Sequence, residues 1–282
     1  MDVVQLVKDR KAIFEWAEIE TTHEDKTLII DVFRDAMKFD GVEACTWDFK
    51  PLPTNDPNHG KIYDGIRLPA SAKQLQEIAD LLSCMLLTPR IVDQIWLQAT
   101  LKFDSIVNVK GNIVAVSNIN DVHEAIEAKI ASLGGDPGDA TLISCVGKYW
   151  VLVNELVNSK FGQQGACNYG WCAKTASGPG ITYPVQCWQR PGLAHDFNHW
   201  DPSQTIRLMY RFATLIQEGS APRQVDLHEV ATDPSLAPLI SHQGVLNYLR
   251  LPGVPEPEPT VVDGIITLPE ITIYGKPPKT VS

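Results

Sequence analysis

The chain reads as an α+β protein: a mainly antiparallel sheet with several helices. Three observations lead there. Capped helical segments lie between about residues 71 and 133, and after Gly134-Gly135 the apolar period changes from helical to alternating. The alternating segments that follow are joined by returns short enough for antiparallel pairing. With 282 residues there is ample chain for one substantial core. The reading places that core at residues 1–251, a proline-rich linker at 252–260 and a C-terminal tail at 261–282.

Taken in order, TLIIDVF and VEACT read as two strands around AMKFDG, where Asp40-Gly41 favours a tight turn. DFKPLPTNDPNHG, with its prolines and turn formers, is a loop. Ser71 and Gln74 have the spacing of a capping box, and Leu75, Ile78 and Leu82 follow at helical spacing. Thr88 before Pro89 reads as an N-cap with proline at the first helical position, and Val92, Ile95 and Ala99 form that helix's inner face. A third helix is expected over Asp121–Leu133, striped by Val122, Ile126, Ile130 and Leu133.

TLISCV, KYWVLVN, CNYGWCA, TYPVQCW and TIRLMYRF then read as strands. Those near 148–154, 168–173 and 205–212 are expected in one sheet. Residues 225–250 return to helix, packed through Leu236, Leu239 and Leu246. The spacer LPGVPEPEPT is expected to be extended and the tail beyond it dispensable for the core. VVDGIITLPEITIYG has β character suited to adding a strand to this domain, to another copy or to a partner's sheet edge; a disordered tail is the alternative.

Composition narrows the function. A hydrophobic fraction of 44% and a charged fraction of 21% are those of an ordinary globular chain. A net charge of −10 argues against nucleic acid and anionic membranes as partners, since both are themselves negative. No apolar stretch reaches the roughly 18 residues that span a bilayer. MDVVQLVKDRKAIFEW lacks the apolar core of a secretory signal. The expected product is made in the cytoplasm and reaches the outside, if it does, by lysis or a dedicated secretion system. Cys45, Cys84 and Cys145 sit in apolar runs and read as buried thiols. Cys167, Cys172 and Cys187 lack the fourth partner of a structural zinc site.

GLAHDFNHWDPSQTIRLM concentrates the polar chemistry, with His195, His199, Asp201 and Ser203 within nine residues ahead of an alternating run. Polar groups on an entry loop held by a sheet are a common way to build a site. Three chemistries compete. Ser203 attacks while His195 or His199 takes its proton and Asp201 orients the ring. Alternatively, His195, His199 and Asp201 hold zinc with one open position, the cofactor expectation otherwise being none. In the third, Cys167 or Cys172 is the nucleophile with His195 as base. A fourth reading has no chemistry: the histidines satisfy backbone groups of a tight loop. Lys148, at the mouth of KYWVLVN, is either an exposed strand-end lysine or a charge stabiliser. Tyr169 and Trp171, two apart in NYGW, are either core or a platform for sugar rings or peptides, with Cys172 beside them.

GKYWVLVNEL, ACNYGWC and GLAHDFNHWDPSQTIRLM, with IRLPASAKQLQEIADLLSCMLLTPRIVDQIW upstream and DPSLAPLISHQGVL downstream, resemble a family of uncharacterised proteins from phages and environmental bacteria. The resemblance covers about residues 27–250. Its relatives read roughly N-Y-G-W-H and then A-H-x-x-x-H-x-D-Y-S-Q. Asn168, Tyr169, Gly170 and Trp171 match the first motif; His195, His199, Asp201, Ser203 and Gln204 match the second. Cys172 stands where relatives often carry histidine, and Pro202 replaces the tyrosine. The resemblance brings no activity with it.

The expectation drawn from all this is an antibacterial, phage-type or inter-bacterial hydrolase acting on an extracytoplasmic polymer, most plausibly peptidoglycan of the cell wall. In it His195 is general base, Asp201 its orienter, Ser203 nucleophile or water-positioner and Lys148 a charge stabiliser, with His199 in the same centre. The alternative is a non-enzymatic, virion- or secretion-associated binding module in which Tyr169 and Trp171 touch ligand and the tail docks on a partner.

Overall fold

A computed structural model of the chain describes residues 2–103, 118–134, 142–144, 146–172, 187–257, 260–262 and 265–267. The architecture is α+β with mostly antiparallel sheets. A short helix α1 (Val3–Lys8), capped by Asp2, leads into β1 (Ala12–Ile13), β2 (Trp16–His23), β3 (Lys26–Phe33), β4 (Lys38–Glu43) and β5 (Ile62–Arg67). Helices α2 (Ala72–Leu81) and α3 (Pro89–Gln98) flank β6 (Cys84–Leu86). Then come β7 (Leu101–Lys102), α4 (Ile119–Ser132), β8 (Ile143–Ser144), β9 (Lys148–Val151), β10 (Gly165–Cys172) and β11 (Cys187–Asp196). The chain continues through β12 (Leu208–Tyr210), β13 (Phe212–Gln217), β14 (Arg223–Asp226), α5 (Leu227–Thr232), β15 (Thr260–Val262) and β16 (Ile265–Thr267).

Local signals behave as their chemistry demands. Ser71 and Gln74 form both halves of the capping box, and Leu75, Ile78 and Ala79 are buried beneath it. The Thr88 hydroxyl accepts from the Ile91 amide, Pro89 opens α3, and Ile91, Val92 and Ile95 are buried. In α4, Val122, Ile126 and Ile130 are buried, whereas Leu133 lies past the helix end and is exposed. Cys45 and Cys84 are buried; Cys145 and residues 182–186 of TYPVQCW lie outside the described residues.

Long-range order departs from the sequence reading in four places. Asp40-Gly41 is not a turn but a bulge inside β4, where the register against β5 shifts and Gly41 takes φ +63°. The strands near 148–154 and 168–173 share the sheet β11-β10-β9, but β12 belongs to another sheet, β14-β13-β3-β12-β6, with β2 on the outer edge of β3. The two sheets meet through single bridges, Leu87 to Val151 and Lys148 to Gln204. Residues 225–250 are only briefly helical: α5 ends at Thr232, a single 3₁₀ turn follows at Ala237–Leu239, and the rest is turns. The run Ile206 to Met209 is buried on both parities, so its apparent alternation does not divide core from solvent.

Arg207, just before β12, ties that strand to several segments at once. Its guanidinium, fully buried, donates to the carbonyls of Phe33 (2.8 Å), Ile143 (2.7 Å) and Arg34 (2.8 Å) and reaches the Tyr149 hydroxyl at 3.4 Å. One planar fork thus serves segments that no single sheet contains. A second buried network lies under α4. Arg67 bonds Asp35 through Nε (3.2 Å) and Glu127 through Nη1 (2.5 Å), and His123 Nδ1 accepts from the Arg67 amide at 3.3 Å.

The packed chain runs past residue 251. Leu251 and Val254 are buried, and Arg250 donates to the carbonyls of Val254 (2.6 Å) and Pro255 (3.1 Å). In the tail, β15 and β16 pair antiparallel with each other. Among the described residues no helix is long and apolar enough to cross a membrane.

Candidate functional site

His195 sits near the end of β11, opposite Ala166 of β10, so it is a strand residue rather than part of an entry loop. Just beyond it the chain turns on Asp196, whose carboxylate accepts from the Asn198 amide (2.8 Å) and whose carbonyl accepts from the His199 amide (3.2 Å). The reversal lays one imidazole on the other: the His195 and His199 rings stack at 3.8 Å between centroids with planes 6° apart. Both stand edge-on to Trp150, at 6.3 and 6.5 Å. Trp150 is itself buried and pinned by its indole N–H to the Ala70 carbonyl at 3.0 Å.

The next turn is built on Asp201. Its carboxylate accepts from the Ser203 amide (2.9 Å) and from the Ser203 hydroxyl, while its own amide donates to Gln204 Oε1 (2.9 Å). Lys148 closes the arrangement from β9, its Nζ donating to Asp201 Oδ2 at 2.7 Å. His199 Nε2 lies 3.9 Å from the same oxygen. Gly147 permits the approach, since a Cβ there would lie 2.6 Å from the Ser203 carbonyl. The Lys148 amide then donates to that carbonyl (2.9 Å), and the Thr205 amide donates to the Lys148 carbonyl (3.1 Å).

The charges follow from these contacts. Burial pushes the Asp201 carboxyl up, but Lys148 and the Ser203 donors outweigh it and hold the group below the usual carboxylate range. Burial, reinforced by His199 and Lys148, lowers the His195 imidazole, so the ring is neutral at pH 7. Asp201 is thereby held as an anion, and the uncharged His195 ring lies within its field.

The sequence-derived residues therefore divide. His195, His199, Asp201, Ser203 and Lys148 come together in one place, but the imidazole that Asp201 faces is His199, at 3.9 Å, rather than the expected His195. Ser203 is buried with its hydroxyl committed to Asp201. Lys148 is buried too, rather than a free strand-end cation, and its ammonium lies 5.2 Å from the Trp171 ring centre. Tyr169 and Cys172 are buried and present no face to solvent. The Tyr169 hydroxyl donates to Asp93 at 2.6 Å, and Cys172 Sγ meets Cys187 Sγ at 2.9 Å. Burial pushes the Cys167 thiol up to about 12, where it stays protonated at neutral pH. The expected zinc set does not fit as placed, because the stacked rings direct their nitrogen lone pairs side by side instead of toward one point. Among the described residues no three His, Cys, Asp or Glu side chains are grouped to hold a metal ion.

Three features escaped the sequence reading. Asp93, fully buried on the inner face of α3, accepts from Tyr169 and meets His242 Nε2 at 2.9 Å, joining three distant segments; the signal was an aspartate inside an apolar stripe. Asn168 Nδ2, Gln204 Nε2 and Thr205 Oγ1, all beside the site, are buried without a hydrogen-bond partner among the described residues. Finally, Trp47, Phe49 and Trp200 cluster at the surface, with Trp200 4.8 Å from Phe49 and 5.8 Å from Trp47, and Trp47 48% exposed. In comparison with known proteins, no family model, no curated protein and no solved structure matches this chain.

Proposed function

We propose that the chain is a hydrolase whose reactive group is the stacked pair His195–His199, acting on an extracytoplasmic polymer, with peptidoglycan the leading substrate. The observation that carries the reading is the neutral His195 held on His199 beside a charge-paired Asp201. A neutral imidazole is the form that accepts a proton from water, and the Asp201 anion favours the charge that results. The base takes one proton of the attacking water as its oxygen bonds to the electrophilic atom, and returns that proton to the leaving group as its bond breaks. Ser203 is better suited to positioning Asp201 than to attack, since its hydroxyl is buried and donates to that carboxylate. Among the described residues the buried donors at Asn168 and Gln204 have no partner, which costs stability and supports a role for this region beyond folding.

The test is digestion of purified cell-wall sacculi, with soluble products followed by chromatography and mass spectrometry. The protein should release fragments and His195→Ala should release none. No release by either ends the peptidoglycan reading. A second reading, a binding module without catalysis, draws on the exposed Trp47 and the half-buried Trp200.

A further inference from the structure

We propose that Trp200, backed by Phe49 and flanked by Trp47, forms with its neighbouring polar cavity a subsite for one uncharged N-acetylhexosamine ring of a glycan chain. This rests on the hydrolase reading for the choice of polymer, but it stands on separate observations. The first is the aromatic cluster itself. Trp47 is exposed, Trp200 is half-buried, and the rings are tilted by 51° so that they form two walls rather than a packed stack. A pyranose presents an apolar face of C–H bonds, which packs on the electron-rich face of an indole, while its hydroxyls point outward to the rim.

The second observation is a cavity of about 320 Å³ that Trp200 shares with Lys73, Glu77, Asn198, Ser71 and Asp2. It supplies an ammonium, carboxylates and an amide within one hollow, a set that can donate to and accept from sugar hydroxyls and an N-acetyl group. Its two carboxylates suit the neutral hydroxyls and N-acetyl group of a hexosamine ring better than a carboxylate on that ring.

The third observation is backbone strain. Phe49 (φ +60°) and Trp171 (φ +53°) are aromatic residues in the left-handed region, which bulky side chains rarely adopt. Phe49 is held there by a turn in which its amide donates to the Thr46 carbonyl at 2.9 Å, and this conformation sets its ring against Trp200. Strain of that kind persists where the surroundings impose it, and it gathers at binding sites. Trp200 stands between His199 and Asp201 in the chain, which ties the subsite to the candidate site in sequence.

The probe is chitotetraose, with tryptophan fluorescence and calorimetry on the full chain as readouts. Saturable binding is expected for the protein. Trp200→Ala should weaken it at least tenfold, and Trp47→Ala, whose side chain is exposed enough to be removed without unfolding, should weaken it several-fold. Absence of saturable binding at millimolar probe overturns the subsite. So does unaltered affinity in both tryptophan variants once circular dichroism shows them folded. Binding that depends on Trp200 without any digestion of sacculi upholds the subsite and removes the hydrolase; digestion without chitotetraose binding does the reverse.

Discussion

Lys148 and Asp201 hold each other across 2.7 Å, although 53 residues separate them in the chain. The pair ties β9 to the turn that carries the candidate base. It also gives the Asp201 carboxylate a charge partner that is buried, whereas Asp201 itself keeps about a quarter of its side chain exposed.

Removing one member is therefore expected to cost more than removing both. Lys148→Met should destabilise the fold by about 3 kcal/mol, the low end for breaking a buried pair, because Asp201 retains some contact with water. Lys148→Met with Asp201→Asn should recover part of that loss. Urea denaturation of the two variants checks it; equal losses would mean that the pair carries no coupling.

His195→Ala should abolish release of wall fragments while lowering stability by only about 1–2 kcal/mol, since the ring is half-buried and its main contact is the His199 stack. Melting and digestion measured on one preparation decide it. A variant that fails to fold would assign the stack to architecture.

The network under α4 makes stability depend on pH through His123. Burial first, then the Arg67 guanidinium, lowers this imidazole to about 4 from an ordinary 6.5. The unfolded chain therefore binds the proton first. The stabilisation is complete above pH 6.5 and drains away as pH falls toward 4, by roughly 3 kcal/mol. Denaturation midpoints at pH 7, 5.5 and 4.5 should fall for the protein and fall less for His123→Gln. Parallel slopes in the two proteins would put the proton elsewhere.

The parts of the fold that were legible in the sequence are the ones that local chemistry decides. Ser71 with Gln74, and Thr88 before Pro89, act within one helical turn, so three or four letters suffice. Asp40-Gly41 shows the limit: the same dipeptide serves a turn or a bulge, because both need the positive φ that Gly41 supplies. Leu236, Leu239 and Leu246 are spaced like a helix and are buried, but turns bury them as well. Strand β2 was passed over because its outward face is Glu18, Glu20 and Thr22, leaving only Ile19 and Thr21 buried between them. At the site, the crowding of His195, His199, Asp201 and Ser203 marked the place. The arrangement did not follow from it: the stack needs the turn on Asp196, and the charge balance needs Lys148 from another strand. Trp47 and Phe49 lay in a stretch where prolines announced only a loop.

Truncations near the linker separate packed chain from tail. Ending the chain after Gly253 removes buried Val254 and the carbonyls that Arg250 holds, for a loss of about 2 kcal/mol. Ending it after Pro257 should leave the melting temperature where it was. A large drop from the longer truncation product would place the hairpin β15–β16 among the elements that stabilise the core.

Arg207 has a consequence for how the molecule comes apart. Its acceptors are three carbonyls and a phenol, none of which gains a proton in acid. The ion pairs of Asp35, Glu127 and Asp201 fail as their carboxylates protonate, while this clasp is indifferent to the same change. Acid should thus dismantle the protein from the rim inward, loosening α4 and the His195 turn while β12 stays fastened to the end of β3 and to β8. Amide exchange at pH 3 would register that order as slow amides around Met209 and Val32 amid fast ones near Asp201. The centre of the fold is a positive charge whose hold is set by shape alone, so acidity can open the site without scattering the chain.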